Sequence, residues 1–507
     1  MADTKREIER KFEFTEPEAE RRGVPDLTGT AGIAAVVDRG VADLDAVYYD
    51  TPDQRLAADG LTLRRRTGGH DAGWHLKLPV APGIRDEVTA ALADTVPGPL
   101  AALVRSRVRD ARLEPQVRLL SSRRISHLLD ADGALLAELS TDAVTAEHED
   151  TTATWTEVEV ELADGTDPGL LDAVEKTFRK AGLKVSDSPS KLARALAETG
   201  NEPPARPAPD PAAEGSAGAH VLAYLREQVT ALIAHDPAVR RDQPDAVHQM
   251  RVASRRLRSA FKTYRKVLDR EITDPIGVEL RRLGTELGAD RDREVLHEHL
   301  RTALDDLPRT LLAGPVRKRL RTWNTTRRSA SRRRALATLD SPRHLALLDS
   351  LEALLADPPL LPGAAKPARK ALPEAVLRDY RRLASRVDHA LSLDPGQEAD
   401  HALHQARKAA KRARYAAEAA ESALGKPAAK FAKAVKAVQN LLGEHQDSVV
   451  ARTALRDLAH QAHAAGEPSF TWGLLHGREE SRAERCGRDL PATWAEATDP
   501  RLRAALK

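Results

Sequence analysis

Glu7, Glu9 and Lys11 occupy alternate positions of REIERKFEF. In a strand, alternate side chains share one face. Two carboxylates and an ammonium therefore point one way, while Ile8, Phe12 and Phe14 point the other. One such strand would be only the wet side of an open sheet, but the pattern recurs. LTLRRRT puts Arg64 and Arg66 on one face with Leu63 opposite, WHLKLP offers His75 and Lys77, and IRDEV offers Arg85 and Glu87. WTEVEVEL alternates Glu157, Glu159 and Glu161 with Val158, Val160 and Leu162. Five segments of this kind predict a sheet closed on itself around a charged lumen. Carboxylates hold hard metal ions and ammonium groups hold phosphate oxygens, so a lumen with both suits a metal–polyphosphate complex.

The rest of the first 200 residues reads as polar turns plus helices near 30–42, 97–111, 168–182 and 188–198. TGNEPPARPAPDPAAEGSAGA follows, with five prolines among residues 203–211. That composition cannot bury a core and reads as a linker. From about residue 219 the periodicity changes to the three- and four-residue spacing of helices, as in HVLAYLREQVTALIAHD. The expected division is 1–198, a linker at 199–217, and a helical part at 218–500.

The helical part repeats itself. VHQMRVASRRLRSAFKTYRKVL resembles LHQARKAAKRARYAAEAA, and LGADRDREV resembles LGEHQDSVV. His248 and Gly288 are 40 positions apart, and His404 and Gly443 are 39 apart, so the two copies share nearly the same spacing. A unit this long implies two homologous helical bundles, about 218–360 and 361–500, rather than a solenoid. In the first copy His248, Arg251, Arg255 and Arg258 follow steps of three, four and three, continuing to Lys262 and Arg265. His404, Arg407, Lys411 and Arg414 repeat those steps. Each row lies along one side of a helix, where like charges repel unless an anion or water screens them.

A chain of 507 residues exceeds one core, so two or three domains are expected. The net charge of +3 hides a division: residues 1–200 carry 26 Lys and Arg against 36 Asp and Glu, and residues 201–507 carry 53 against 40. The first part is suited to cations and the second to polyanions. A single cysteine, Cys486, excludes an intrachain disulfide. No apolar stretch is long enough to cross a bilayer, and the N-terminus has no apolar h-region, so no membrane partner and a cytoplasmic location are expected. No G-x-x-x-x-G-K-[ST] is present, which argues against a P-loop nucleotide hydrolase. Aromatics are 3% of the chain and are sparse among the basic residues, which disfavours stacking on nucleic-acid bases. His297 and His299 in LHEHL are two apart on a helix and diverge, a poor chelating pair.

Glu7-x-Glu9-x-Lys11 resembles the ExExK signature of the CYTH domain of the triphosphate tunnel metalloenzymes. YYDTPDQRLAADGLTLRRRTG, HLKLP, the Arg85–Glu87 pair, Asp142, the Glu157–Glu161 strand and Lys191 in PSKLARAL resemble later parts of that domain in order and spacing. The resemblance covers roughly residues 1 to 200. HQxR leading a basic helix, followed by LGxxxD, resembles the CHAD domain, the conserved histidine α-helical domain, over about residues 217–500. The second copy departs in using Lys408 and Lys411, point charges without arginine's bidentate fork. The two resemblances imply an α+β fold: an antiparallel β-barrel with flanking helices, then an all-α domain of two pseudo-symmetric four-helix bundles with a basic groove for inorganic polyphosphate.

The resemblance also assigns residues. Lys11, Arg64, Arg66, Lys77 and Arg85 are candidates for the phosphate oxygens, with Lys191 capping one end. Arg123 or Arg124 adds a further cation; we carry Arg124, although the sequence does not settle which of the two faces inward. Glu7, Glu9, Glu157, Glu159 and Glu161 are candidates for Mg²⁺ or Mn²⁺, with Glu87 and Asp142 as weaker ones. Glu7, Glu9 and Lys11 are the candidate catalytic group. His248, Arg251, Arg255, Arg258, His404, Arg407, Lys411 and Arg414 are candidates for binding polyphosphate. The expected activity is hydrolysis of inorganic triphosphate to diphosphate and phosphate. The alternatives are a non-catalytic polyphosphate-binding protein associated with granules, and a tunnel acting on thiamine triphosphate or ATP.

Overall fold

The structure is a computed structural model that describes residues 3–204 and 213–506, without the side chains of residues 3, 289–292 and 325–331. Residues 205–212 of the expected linker therefore lie outside the described residues, as do some side chains of the arginine run TRRSASRRR, whose arginines span 327–334. Two compact units are present, Met1–Arg206 and Pro207–Lys507.

The first unit is a nine-stranded antiparallel sheet. Its strands are β1 (Asp3–Phe14), β2 (Ala35–Asp50), β3 (Thr62–Thr67), β4 (Gly73–Ala81), β5 (Ile84–Ala90), β6 (Glu114–Leu129), β7 (Leu135–His148), β8 (Thr151–Leu162) and β9 (Leu183–Val185). They run in the order β5-β4-β3-β2-β6-β7-β8-β1-β9, and β5 also pairs with β1. That pairing closes eight strands into a ring, so only β9 stands outside it. Five helices accompany the sheet: α1 (Pro17–Arg22), α2 (Arg55–Ala58), α3 (Gly98–Val108), α4 (Gly169–Ala181) and α5 (Lys191–Glu198).

The alternation works inside out. Apolar faces of the strands point away from the ring and are covered by helices. Leu170, Leu171, Val174 and Phe178 of α4 pack on Phe12, Val158 and Val160, with the Phe12 and Phe178 rings edge to face at 4.7 Å. Leu100, Leu103 and Val104 of α3 cover Leu63, Trp74, Leu76 and Val88. Covering these faces removes apolar area from water, which is the main stabilising term. Inside the ring, Leu192, Ala195 and Leu196 of α5 pack with Ala46, Tyr48, Val144 and Trp155. The ring thus has a dry layer beside a charged one.

The helix expected near 30–42 is absent. Ala35–Asp50 is strand, paired with β6 from Ala35–Leu129 to Asp50–Glu114, and its register shifts between Asp38 and Gly40. Alanine favours helix locally, but Val36, Val37 and Val41 suit a pleat, and Gly40 at φ +91° supplies the bulge. Tertiary pairing overrides the local propensity.

The second unit is helical: α6 (Ala217–Arg240), α7 (Ala246–Thr263), α8 (Arg270–Glu286), α9 (Gly288–Asp305), α10 (Val316–Leu339), α11 (Pro342–Ala356), α12 (Ala368–Leu391), α13 (Gln397–Leu424), α14 (Lys426–Ala464), α15 (Phe470–Ala497) and α16 (Pro500–Ala504). The repeat is visible in the element boundaries. Arg270 opens α8 and Lys426 opens α14, the same 156-residue offset as His248 to His404. The pair α8 and α9 thus corresponds to the single helix α14, interrupted at Leu287 in the first copy. α7 and α13 are the matching helices that carry the basic rows. They meet closely because α13 buries alanines such as Ala406, Ala410, Ala413 and Ala417. The Tyr264 hydroxyl donates to the Ala416 carbonyl at 2.7 Å, and Thr263 donates to Asp379 at 2.5 Å, tying the two copies together.

Candidate active site and anion groove

Cross-strand register assembles the charged layer of the ring. Lys11 lies opposite Glu159 and Glu9 opposite Glu161. Asp142 lies opposite Glu157 and Arg123 opposite Asp142. Lys77 lies opposite Glu87, Arg64 opposite His75, and Glu7 opposite Arg85. Glu7 and Glu9 are 4% and 6% exposed, so these are interior charges. Each is offset by neighbours of opposite sign, as buried charge requires.

Lys77 Nζ lies 2.7 Å from Glu7 and 4.0 Å from both Glu9 and Glu87. Lys11 lies 3.6 Å from Glu9 and in contact with Glu159. Arg123 holds Asp142 through two hydrogen bonds of 2.8 Å and reaches Glu159 at 3.1 Å. Lys191, the first residue of α5, places Nζ 2.7 Å from Asp142, 2.6 Å from Glu157 and 2.7 Å from Glu159. Ser190 caps that helix by accepting from the Ala193 amide at 3.0 Å, which fixes where Lys191 enters. Arg64 lies 3.8 Å from Glu87 and donates to the Tyr48 hydroxyl at 3.3 Å. His75 shares Glu87 at 3.0 Å. Arg66 pairs with Asp71 at the edge of this group.

Burial and neighbours push the acids apart. Burial raises Glu7 to about 7, with Glu87 and Glu161 adding to it and Lys77 opposing. Burial also opposes ionisation of Glu9, but Lys11 and Lys77 outweigh it and hold its pKa below the usual value. Glu159 is buried too, yet Lys11, Lys191 and Arg123 hold it well below the carboxylate range. Among the cations, burial and the like charges of Arg64 and Arg123 bring Arg66 down to about 9. Separated values of this kind are typical of functional sites.

Most of the expected groups converge on the lumen, and two are peripheral. Arg124 lies on the outer face, with its side chain 65% exposed, and reaches Asp38 at 3.4 Å. This corrects the expectation for Arg124: the residue in the lumen is Arg123, because a one-residue step on a strand reverses the face. Glu161 is at the rim, 28% exposed and paired with Lys5 at 2.5 Å. Arg85 donates to the Pro189 carbonyl, in the loop that leads into α5. Two wall residues were not singled out by the sequence. Tyr48 is opposite Arg64 in register, and Trp155 donates to Glu157 at 2.8 Å while Arg194 lies over its ring at 5.0 Å. Trp155 lies two residues before Glu157 on the same face, which was the available signal for it; Tyr48 is on a strand with no expected lumen residue and is found only through its pairing with Arg64.

The donors suit a hard divalent cation. Asp142, Glu157 and Glu159 each bring a carboxylate oxygen within 4.8 Å of one another. Glu7 Oε2 and Glu157 Oε1 are buried beside ammonium groups but have no directed hydrogen bond. An all-oxygen set with spare lone pairs fits Mg²⁺ or Mn²⁺ better than a soft metal.

In the helical unit the two basic rows come together. Arg407, Arg255 and Arg414 lie near enough to Lys411 that they and its burial lower the ammonium to about 7. Arg255 belongs to the first copy and the others to the second, so cations of both repeats meet in one cluster. The glycines of the repeat have a matching purpose. A Cβ at Gly288 would lie 2.8 Å from Arg251 Nη2, and one at Gly443 would lie 3.3 Å from Arg407 Nη2. Each glycine leaves space for the arginine of its own HQxR segment. Burial, with Lys408, Arg407 and Lys411 nearby, keeps His404 below the usual imidazole range, and Gln446 hydrogen-bonds to it. His248 stands at the matching position on α7. Arg258 and Lys262 continue the first row.

The CYTH domain model matches residues 5–196 and the CHAD domain model residues 223–456. The chain is 38% identical to the Mycobacterium tuberculosis protein Rv2226 over 511 aligned positions, covering 96% of this chain and 95% of that one. Among solved structures, PptA from Streptomyces chartreusis is 23% identical with a TM-score of 0.47, covering 55% of this chain and 99% of that one. The CHAD domain of Ricinus communis is 27% identical with a TM-score of 0.44, covering 56% and 92%. The chain belongs to the family of proteins that join an N-terminal CYTH domain to a C-terminal CHAD domain.

Proposed function

We propose that the tunnel hydrolyses inorganic triphosphate with the help of Mg²⁺ or Mn²⁺, and that the helical groove binds inorganic polyphosphate. The observation that carries the first part is the closed ring whose inner face interleaves carboxylates with Lys11, Lys77, Arg64, Arg123 and Lys191. A triphosphate repels its nucleophile, so catalysis consists mainly of neutralising and positioning it. Lys11, Lys77, Arg64, Arg66 and Arg123 would exchange carboxylate partners for phosphate oxygens. Arg85 and Lys191 would bind at the α5 end. Glu7, Glu9, Glu157 and Glu159, with Asp142, would hold the metal, and Glu161 would act from the rim. The metal, when bound, supplies charge neutralisation at phosphate oxygens and lowers the pKa of a coordinated water.

The polyphosphate part rests on cations from both repeats meeting around Lys411. Linear polyphosphate fits this groove better than nucleic acid, because aromatic residues, the bases' stacking partners, are sparse among the basic residues of the sequence. The test is a substrate panel with each metal: tripolyphosphate, ATP, thiamine triphosphate and long-chain polyphosphate. Fastest phosphate release from tripolyphosphate supports the proposal. Faster turnover of either organic triphosphate would replace the inorganic substrate with that one.

A further inference from the structure

The two repeats are not equivalent along their basic rows. At the shared 156-residue offset, Arg414 matches Arg258, Arg412 matches Arg256, and Glu418 matches Lys262. The row on α13 therefore ends in a carboxylate where the row on α7 continues with an ammonium.

The structure shows what that exchange does. α7 and α13 cross so that Arg256 meets Glu418 and Lys262 meets Arg412, two contacts related by the repeat. In the first, the Arg256 guanidinium holds the Glu418 carboxylate at 3.1 Å, and Arg414 approaches the same carboxylate at 3.1 Å. Two cations at that end of the groove share one carboxylate. In the second contact the carboxylate is that of Asp379, and it reaches Arg412 but not Lys262. Arg412 donates to the Lys262 main-chain carbonyl at 2.9 Å and turns its Nε to Asp379 at 2.9 Å. Burial and the cations Arg258, Arg412 and Arg281 hold the Lys262 ammonium below its ordinary range, with Asp274 opposing them. Arg258 is lowered by burial, Arg281 and Arg255. Among the described residues neither Arg258 nor Lys262 has an ion pair. Like charges left uncompensated at one end, and paired at the other, give the groove a direction.

We propose that Glu418 terminates the anion track at its own end, and that a bound polyphosphate chain runs on past Arg258 to Lys262 and Arg281. The inference rests on reading the groove as a polyphosphate site. A chain longer than the central cluster then extends one way only, and Glu418 sets how many phosphate units are held.

The test uses the full chain and labelled polyphosphates of graded length, with binding measured at fixed salt. Lys262→Glu is expected to weaken long chains several-fold and leave the shortest chains nearly unchanged. It should also reduce the slope of log K against log salt by about one or more, since each phosphate contact releases counterions. Glu418→Gln and Glu418→Lys are expected to tighten long chains and to raise the chain length at which affinity levels off. Lys262 is exposed, so its variant tests the idea even if a Glu418 variant folds poorly. Unchanged long-chain affinity in Lys262→Glu, or in a folded Glu418→Lys, would overturn the polarity. Absence of binding by the wild type, or full binding by an Arg258→Glu and Lys411→Glu double variant, would instead overturn the groove reading and the polarity with it.

Discussion

At the scale of single residues, sign and partner decide what each charge does. Glu159 faces Lys11, Arg123 and Lys191 together. Glu159→Gln leaves three buried cations sharing less negative charge, a change of the kind that costs about 3–5 kcal/mol. Thermal denaturation of that variant is expected to show a clear loss of stability, partly restored by tripolyphosphate without metal. Lys411 offers a pH test. Its folded pKa, about 7, lies below the ordinary value of 10.5. Between those values the unfolded chain binds more protons, so this group adds stability as pH rises and removes it as pH falls toward 7. A bound anion reverses the preference. Polyphosphate binding is expected to take up protons above pH 7 and to weaken from pH 6.5 to 9, and Lys411→Arg should flatten that dependence. Calorimetry in buffers of different ionisation enthalpy measures the uptake. Sequence alternation made Glu7, Glu9, Lys11, Lys77 and Glu159 legible because each sits on a strand of regular pleat. Arg123 and Arg124 were not separable, since they are neighbours within β6 and only its pairing with β7 fixes which of them faces Asp142.

At the scale of elements, close packing explains more than propensity. Gly288 and Gly443 lie within or at the start of long helices, where glycine costs up to about 1 kcal/mol relative to alanine. Both are tolerated because an arginine side chain occupies the space above them. Gly443→Ala is expected to leave stability unchanged or slightly higher, and to lower polyphosphate affinity by displacing Arg407. Equal affinity in the folded variant would show that Arg407 is not positioned by this contact. The repeat spacing was legible because it rests on residue identity. The β2 segment was misread because its alanines speak for helix, while its partner, β6, is far away in sequence. α5 was found as a helix, but that Leu192, Ala195 and Leu196 enter the ring follows from tertiary packing alone.

At the scale of the whole molecule, the buried clusters respect the division into two units. Phe12, Trp74 and Trp155 belong to clusters drawn from the first unit, and Leu257, Phe431 and Trp472 to clusters drawn from the second. Each unit carries its own apolar core, so each is expected to fold when expressed alone. Residues 1–206 alone should keep the hydrolysis of tripolyphosphate, and residues 207–507 should keep the binding of long chains. Loss of both activities on separation would place the chemistry in the intact chain only. No described helix is long and apolar enough to cross a membrane. The central claim concerns one place, the inner face of the ring. It is tested most directly by phosphate release from tripolyphosphate, with and without Mg²⁺ or Mn²⁺, for the wild type and a folded Glu7→Ala variant. The account predicts metal-dependent release by the wild type and a loss of at least ~100-fold in the variant, the scale of one charged group lost from a catalytic site. Equal release by the two proteins, or release indifferent to metal, would contradict it.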